Sequence, residues 1–409
     1  AWRNYKDYIY DVTLSPNMLE FLNLRYSKKD APDENFAREV QELFTVGKRP
    51  FSKFTESDVK AAARLLVGWN YDERKSTIGE GYIPTILFDE NNHDLRDKEF
   101  SEFYGNRVIK GKTGQAGKEE LNEFFDMIFD TNEVAIHLSR KLVQFFIYPN
   151  LNDYVEQNII LPLADILREN NYEIAEALKV LLRSEYFFAE DFYNSMLKSP
   201  MEYSLGIFKE YEILTGDITL NEELNSFFEE DKNQIPEKYF SSDYRINQVF
   251  GPIRHHSLGR QGYNIGGPPS VAGWPAYYQE PVYDLIWLNS DSIKTKKGFA
   301  FEMSNRGVGM FPYWIRMNLN DFLSKFTNPS HIDSFIQEMA QIFAGSNLTN
   351  EAFDRIKKSI LGESFPDYYW RDLVNAFKSN PNKENYNTLY LRVTQILGQV
   401  FDLNEMHVF

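Results

Sequence analysis

Glu39, Glu42, His93 and Asp94 are the side chains of this sequence whose types and spacing could do acid–base chemistry. The two glutamates lie within one helical turn in ENFAREVQELFTVG (34–47), and His93-Asp94 closes the run DENNHD (89–94). Two carboxyl groups roughly 5–10 Å apart across a cleft would suit glycoside hydrolysis. Two on one turn, held by an arginine, would not, because a depressed pKa makes a poor general acid. Arg64 is the arginine in question, the lone charge in AAARLLVGW (61–69). A part-buried cation needs an anion, and removing the partner of a buried pair costs on the order of 3–5 kcal/mol. Glu39 or Glu42 is the nearest carboxylate in sequence. The expectation is an ion pair that ties two helices together, placed ahead of a catalytic role because such networks are common without chemistry.

The run Asp89 to Asp94 offers six consecutive oxygen- or nitrogen-bearing side chains, and Asp89, His93 and Asp94 are its candidate metal ligands. Calcium is the cation such ligands would take. The spacing fails the EF-hand loop, which needs glycine sixth and a bidentate glutamate twelfth. Turn chemistry from Asn and Asp accounts for the same composition, and no cofactor is expected. Binding residues come from elsewhere. The segment 251–289 is dense in Gly and Pro and carries Trp274, Tyr277 and Trp287, rings of the kind that stack on sugars or anchor protein interfaces. With Arg38 and Arg64 they form the candidate binding set. His255-His256 is poor grounds for a metal site, since neighbouring histidines point apart on most backbones, and Gly259–Gly262 lacks the strand-to-helix context of a phosphate loop.

The elements that must position these residues are helices. Phe36, Val40, Leu43 and Phe44 fall at i, i+4, i+7 and i+8, one apolar face, with Arg38, Glu39 and Glu42 opposite. Ser15-Pro16 reads as a cap followed by the first helical position, Gly47 as a C-terminal cap, and Thr55-Glu56-Ser57-Asp58 as a capping box. Strand-like pieces are expected at 82–88 and 103–109. His137, on a largely apolar helix, reads as a core histidine, and Lys198-Ser199-Pro200 as a helix break. The fold class is mainly α: a multi-helix globular array with a long Gly/Pro/aromatic-rich loop segment and at most a few short strands. It reads as one unit over 1–409, with a helical core at 1–215, a loop-rich aromatic segment at 216–300 and C-terminal helices at 301–409.

Composition narrows the partners. A net charge of −16 argues against a nucleic-acid backbone as partner, which needs clustered Lys and Arg. The absence of cysteine removes disulfides and thiolate chemistry from this chain. Aromatic residues make up 16%, enough to fill a core and still leave rings for a binding face. No apolar run approaches a membrane span, and the opening AWRNYKDYIY is no signal peptide. It reads as entry in mid-domain, so the chain is expected to be a fragment or processed form.

Several stretches resemble, in order and spacing, the bacterial proteins grouped as domain of unknown function 1800. They are PNMLEFL (16–22), ENFAREVQELFTVG (34–47), FTESDVKAAARLLVGW (54–69), His93-Asp94, SRKLVQFF (139–146), KSPME (198–202), PPSVAGWP (268–275) and WLN (287–289). The resemblance implies a mostly helical, exported bacterial protein of the periplasm, outer-membrane surface or extracellular space. Such proteins are often encoded beside a sulfatase-like companion. It implies too that an N-terminal helical portion of the family's usual length is absent. It brings no established activity, so only motif positions carry over: Asn35, Arg38, Glu39, Glu42, Arg64, Trp69, His93, Asp94, Arg140, Pro268, Trp274 and Trp287. The reading is a non-catalytic surface or periplasmic protein that binds a polysaccharide or another surface protein. The alternative is a polysaccharide-processing hydrolase built on the Glu/His/Asp cluster.

Overall fold

The computed structural model describes residues 4–48, 52–72, 84–148, 150–210, 251, 254, 258–264, 267, 285–306, 308–310, 313–315, 317–362 and 366–408. It is mainly helical, as the periodicities require. Its contacts gather into two compact units, Ala1–Glu190 and Asp191–Phe409.

Unit one begins where the sequence supplies caps. Asn4 accepts the Lys6 and Asp7 N–H groups ahead of α1 (Tyr5–Thr13). Ser15 accepts from Met18 ahead of α2 (Pro16–Phe21), with Pro16 at the first helical position as expected. The central pair is α3 (Asn35–Glu42) against α4 (Glu56–Leu65), burying Phe36, Ala37 and Val40 on one side and Val59 and Ala61 to Ala63 on the other. Gly47 takes φ +86° and returns its N–H to Gln41, ending the first helix of the pair as a residue with a Cβ would resist doing.

After α4 the chain turns through Gly68 into β1 (Trp69–Tyr71), which pairs antiparallel with β2 (Ile86–Phe88), Trp69 facing Phe88. A second hairpin joins β3 (Lys98–Glu99) to β4 (Val108–Ile109). Among the described residues the strands are shorter than the sequence suggests: 84–85 are not strand, Glu102–Tyr104 is a 3-10 turn, and 82–83 lie outside the described residues. The unit is completed by α5 (Glu119–Phe129), α6 (Asn132–Phe146), α7 (Asp153–Val155, running into a π-helical turn), α8 (Leu161–Glu169) and α9 (Ile174–Leu181).

Unit two opens with α10 (Pro200–Glu210) and continues with α11 (Ser290–Arg306), the hairpin β5 (Val308–Met310) with β6 (Tyr313–Ile315), α12 (Leu319–Ser324), α13 (Ile332–Ala344), α14 (Asn350–Leu361), α15 (Asp367–Ser379) and α16 (Lys383–Phe401). The long α16 is its axis: α11, α13, α14 and α15 all pack on it. Its stripe Leu389, Val393, Ile396, Leu397 and Val400 is fully buried, at the 3- and 4-residue steps that keep one face of a helix toward a core. Trp370 of α15 lies in the same core and satisfies its indole N–H on the Pro329 carbonyl at 2.9 Å.

Candidate functional site

Three short-range devices bring the polar residues of unit one together. The capping box forms as the sequence predicts. Thr55 and Asp58 bond reciprocally, and Asp58 also accepts the Ser101 backbone N–H and hydroxyl, both at 2.7 Å, which locks α4 to the second hairpin. Gly68 has φ +110°, and a Cβ there would lie 3.0 Å from the Asp89 carbonyl oxygen, so glycine lets β1 and the end of β2 close together. Gly117, just before α5, leaves the space that the His93 ring and Phe88 fill; a Cβ would sit 2.9 Å from each.

Within that frame His93 is pinned at both ring nitrogens. Nδ1 lies 2.9 Å from the Val67 carbonyl and Nε2 lies 3.0 Å from Glu120 Oε1. The carbonyl can only accept, so Nδ1 carries the proton it binds. Glu120 is the hub. Its Oε1 also accepts the Lys112 N–H at 2.6 Å, and its Oε2 accepts Lys98 Nζ at 2.5 Å. The side chains of Lys98 and Glu120 are 0% exposed and that of His93 is 1% exposed. Burial alone would raise the Glu120 pKa, but the His93, Lys98 and Lys112 hydrogen bonds outweigh it and hold the carboxyl below its ordinary value. Asp94 shows the same balance: burial raises it, and the Arg96 side-chain and backbone bonds with the Arg64 charge carry it down.

The expected partner of Arg64 is corrected here. Arg64 does not reach Glu39 or Glu42. It donates to the Asp97 carbonyl at 3.0 Å and sits 3.7 Å from Asp94 Oδ1. Glu42 instead lies 3.6 Å from Lys48, and Arg38 forms a two-pronged pair with Glu56, with Glu34 at 3.2 Å. Glu39 is half-buried, and burial followed by the nearby Glu42 charge raises its pKa, the opposite of an arginine-held carboxylate. Among the described residues no hydrogen bond or ion pair joins Glu39 or Glu42 to His93 or Asp94. The structure thus brings together His93, Asp94 and Arg64, adds Glu120 and Lys98, and leaves the two glutamates of α3 apart.

Asp89 is exposed and accepts the Asn91 N–H at 3.0 Å, the turn arrangement its composition suggested. Among the described residues no group of three or more His, Asp or Glu is arranged to hold a metal ion. For calcium to bind at 89–94 it would have to displace the contacts that occupy His93 and Asp94. Trp287 is buried, 9% exposed, with its ring 5.5 Å from that of Tyr263. Trp274, Tyr277 and the pair His255-His256 lie outside the described residues.

Unit two holds a cluster that the sequence reading passed over. The Lys198 backbone N–H donates to the His407 carbonyl at 2.7 Å, beside a bridge between Leu197 and Val408. Lys198 Nζ lies 3.3 Å from the Met406 carbonyl, and Lys296 Nζ donates to the Lys198 carbonyl at 2.7 Å. The Tyr203 and His407 rings stack with centroids 5.4 Å apart and planes 7° apart, and Lys296 Nζ stands 5.7 Å from the Tyr203 centroid. Lys296, Tyr203 and His407 are buried, at 1%, 1% and 5% exposure. Burial pushes Lys296 down to about 8, with Lys198 adding to the shift and Glu202 opposing it. Burial and then the charges of Lys296, Lys297 and Lys198 push His407 down to about 4. A signal existed: Ser292, Lys296, Phe299, Ala300 and Met303 share one buried stripe of α11, and a lysine has no ordinary place there. Glu120 gives the same signal in α5, four residues before Phe124.

Comparison with known proteins gives one family finding. The family model described as "Protein of unknown function (DUF1800)" matches residues 1–402. No curated protein and no solved structure matches the chain.

Proposed function

The chain belongs to the DUF1800 family, whose function is unknown, and from that premise we propose that it is a non-catalytic binding or assembly protein. Its partner is a polysaccharide or another surface protein. The observation that carries this reading is the commitment of His93 and Asp94. Their polar atoms are buried and already committed, His93 to Val67 and Glu120, and Asp94 to Arg96 with Arg64 at 3.7 Å, while Glu120 is also held by Lys98. A general acid or base must reach a substrate proton. These groups are directed at one another, and their arrangement fits a clamp that fixes α4, α5 and both hairpins. Among the described residues no helix is long and apolar enough to cross a membrane. Placement in the periplasm or at the cell surface is part of the proposal and rests on the family resemblance.

Glycan arrays and pull-downs with the full chain test this reading, comparing wild type with Trp274→Ala and Tyr277→Ala. Loss of a wild-type signal in either variant supports a binding face in that segment; equal signals from all three remove it.

One observation favours a second reading, a hydrolase that uses the glutamates of α3. Glu39 is half-buried, and burial followed by the Glu42 charge raises its pKa, the direction a proton donor needs. Release of reducing ends from acidic or neutral polysaccharides by the wild type, abolished in Glu39→Gln, would establish it. Absence of any release by the wild type would end it.

A further inference from the structure

We propose that Lys198, Tyr203, Lys296 and His407 form a binding site for a compact oxyanion, a carboxylate, sulfate or phosphate group. The inference goes beyond the binding reading above and does not depend on it. Each lysine ammonium carries three N–H donors and no acceptor. In this structure each meets one backbone carbonyl, Met406 for Lys198 and Lys198 for Lys296. The Tyr203 hydroxyl and both His407 ring nitrogens have no hydrogen-bond partner. Buried polar groups are bonded in the great majority of cases, so three orphaned atoms on one stacked pair of rings call for an explanation.

The same chain shows how it treats a buried cation that serves only the fold: Lys98 has Glu120 against it. Lys296 has no such partner. The acidic groups that act on the cluster are Glu202, which faces Lys296 and accepts the Ser199 N–H at 2.8 Å, and Asp402, which acts on Tyr203 and is paired with Lys297 at 3.1 Å. Among the described residues neither comes within ion-pair distance of Lys198 or Lys296. The ring of Tyr203 beneath Lys296 offers a cation–π contact, which supplies attraction but no acceptor. An oxyanion supplies what is missing. It neutralises two cations and accepts from Lys198, Lys296, Tyr203 and the one N–H of neutral His407. Lysine ammoniums are point charges without the planar fork of arginine, which suits a small group approached from several sides. Lys198 and Ser199 are half-buried and Glu202 is exposed, so the cluster borders the surface on that side.

The test is calorimetric titration of the full chain at pH 7 with sodium sulfate, phosphate and glucuronate, against sodium chloride at equal ionic strength. Saturable binding of at least one oxyanion is expected, at least tenfold weaker in Lys296→Gln and several-fold weaker in Tyr203→Phe. Affinity should also fall at least tenfold between pH 7 and pH 9.5 in the unaltered chain, as the lysine charge is lost. The glucuronate arm separates an acidic sugar from a free inorganic ion. Should Lys296→Gln fail to fold, Tyr203→Phe and the pH profile decide. No saturable heat with any of the three, chloride binding as well as they do, or unchanged affinity in the folded variants overturns the proposal.

Discussion

Lys98 Nζ and Glu120 Oε2 meet at 2.5 Å with neither side chain exposed to solvent, and the other carboxylate oxygen holds His93. Removing one partner of such a pair leaves a buried charge uncompensated, at a cost of roughly 3–5 kcal/mol. Lys98→Met should therefore destabilise unit one by about that amount in urea unfolding. Lys296→Met, at an equally buried lysine with no carboxylate against it, should cost less than about 1 kcal/mol or raise stability. Equal losses in the two variants would mean that the buried lysines play the same role.

Acid should weaken the protein before its carboxylates titrate. Burial pushes His407 and His137 down to about 4 from an ordinary 6.5, with Lys141 adding to the shift at His137. The unfolded chain then binds more protons than the native one between those values, so stability is full above pH 6.5 and falls as pH drops toward 4. By that linkage each histidine removes about 2 kcal/mol by pH 5 as an upper figure. Glu120 and Asp94, held below their ordinary values, add a further loss at lower pH. Unfolding free energies at pH 7.5, 6 and 5 check the slope, which His407→Gln should reduce.

Gly117→Ala should cost about 1–3 kcal/mol, because the added methyl must displace the His93 ring and Phe88 within a packed site. At Gly105, where a Cβ meets nothing within 4 Å, the same change tests backbone strain alone. A larger loss at Gly105 would contradict the steric account.

Asp58→Asn keeps the shape of a side chain that accepts from Thr55 and from Ser101 twice, but removes its charge and places an amide donor against donors. A loss of about 1–3 kcal/mol is expected, from the penalty of unmade buried hydrogen bonds. Ser101→Ala in the Asp58→Asn background should then cost less than it does alone. Strict additivity in that double-mutant cycle would show that the two side chains are not coupled.

Local signals in the sequence led to the structure they usually specify, and long-range pairings did not. Ser15-Pro16 and Thr55–Asp58 cap their helices because each cap needs only residues three positions away. Arg64 was matched to the nearest carboxylates, but its partners come from Asp94 and Asp97, delivered by a hairpin that folds back over α4. No local pattern encodes that return. Glu120 and Lys296 were legible in principle, as charges on apolar helical stripes. KSPME carries a local helix-break signal, while its place beside His407 depends on closure across the whole of unit two.

That closure has a consequence for how the protein is made. The hydrogen bond from Lys198 to the Met406 carbonyl spans 208 positions, and the Leu197–Val408 bridge spans a similar distance. Contacts of such sequence separation form late, because the intervening chain must lose its entropy before they give anything back. During translation Phe208 of α10 can meet Phe299 of α11 early, whereas Tyr203 waits for the His407 ring that stacks on it. Unit one is closed in the same way, by the Tyr5 N–H on the Tyr172 carbonyl at 2.9 Å and the Asn4–Glu173 bridge, but its closing residues are made well before those of unit two. The two units should acquire protease resistance in order, the first before residues 404–408 have emerged and the second only after them.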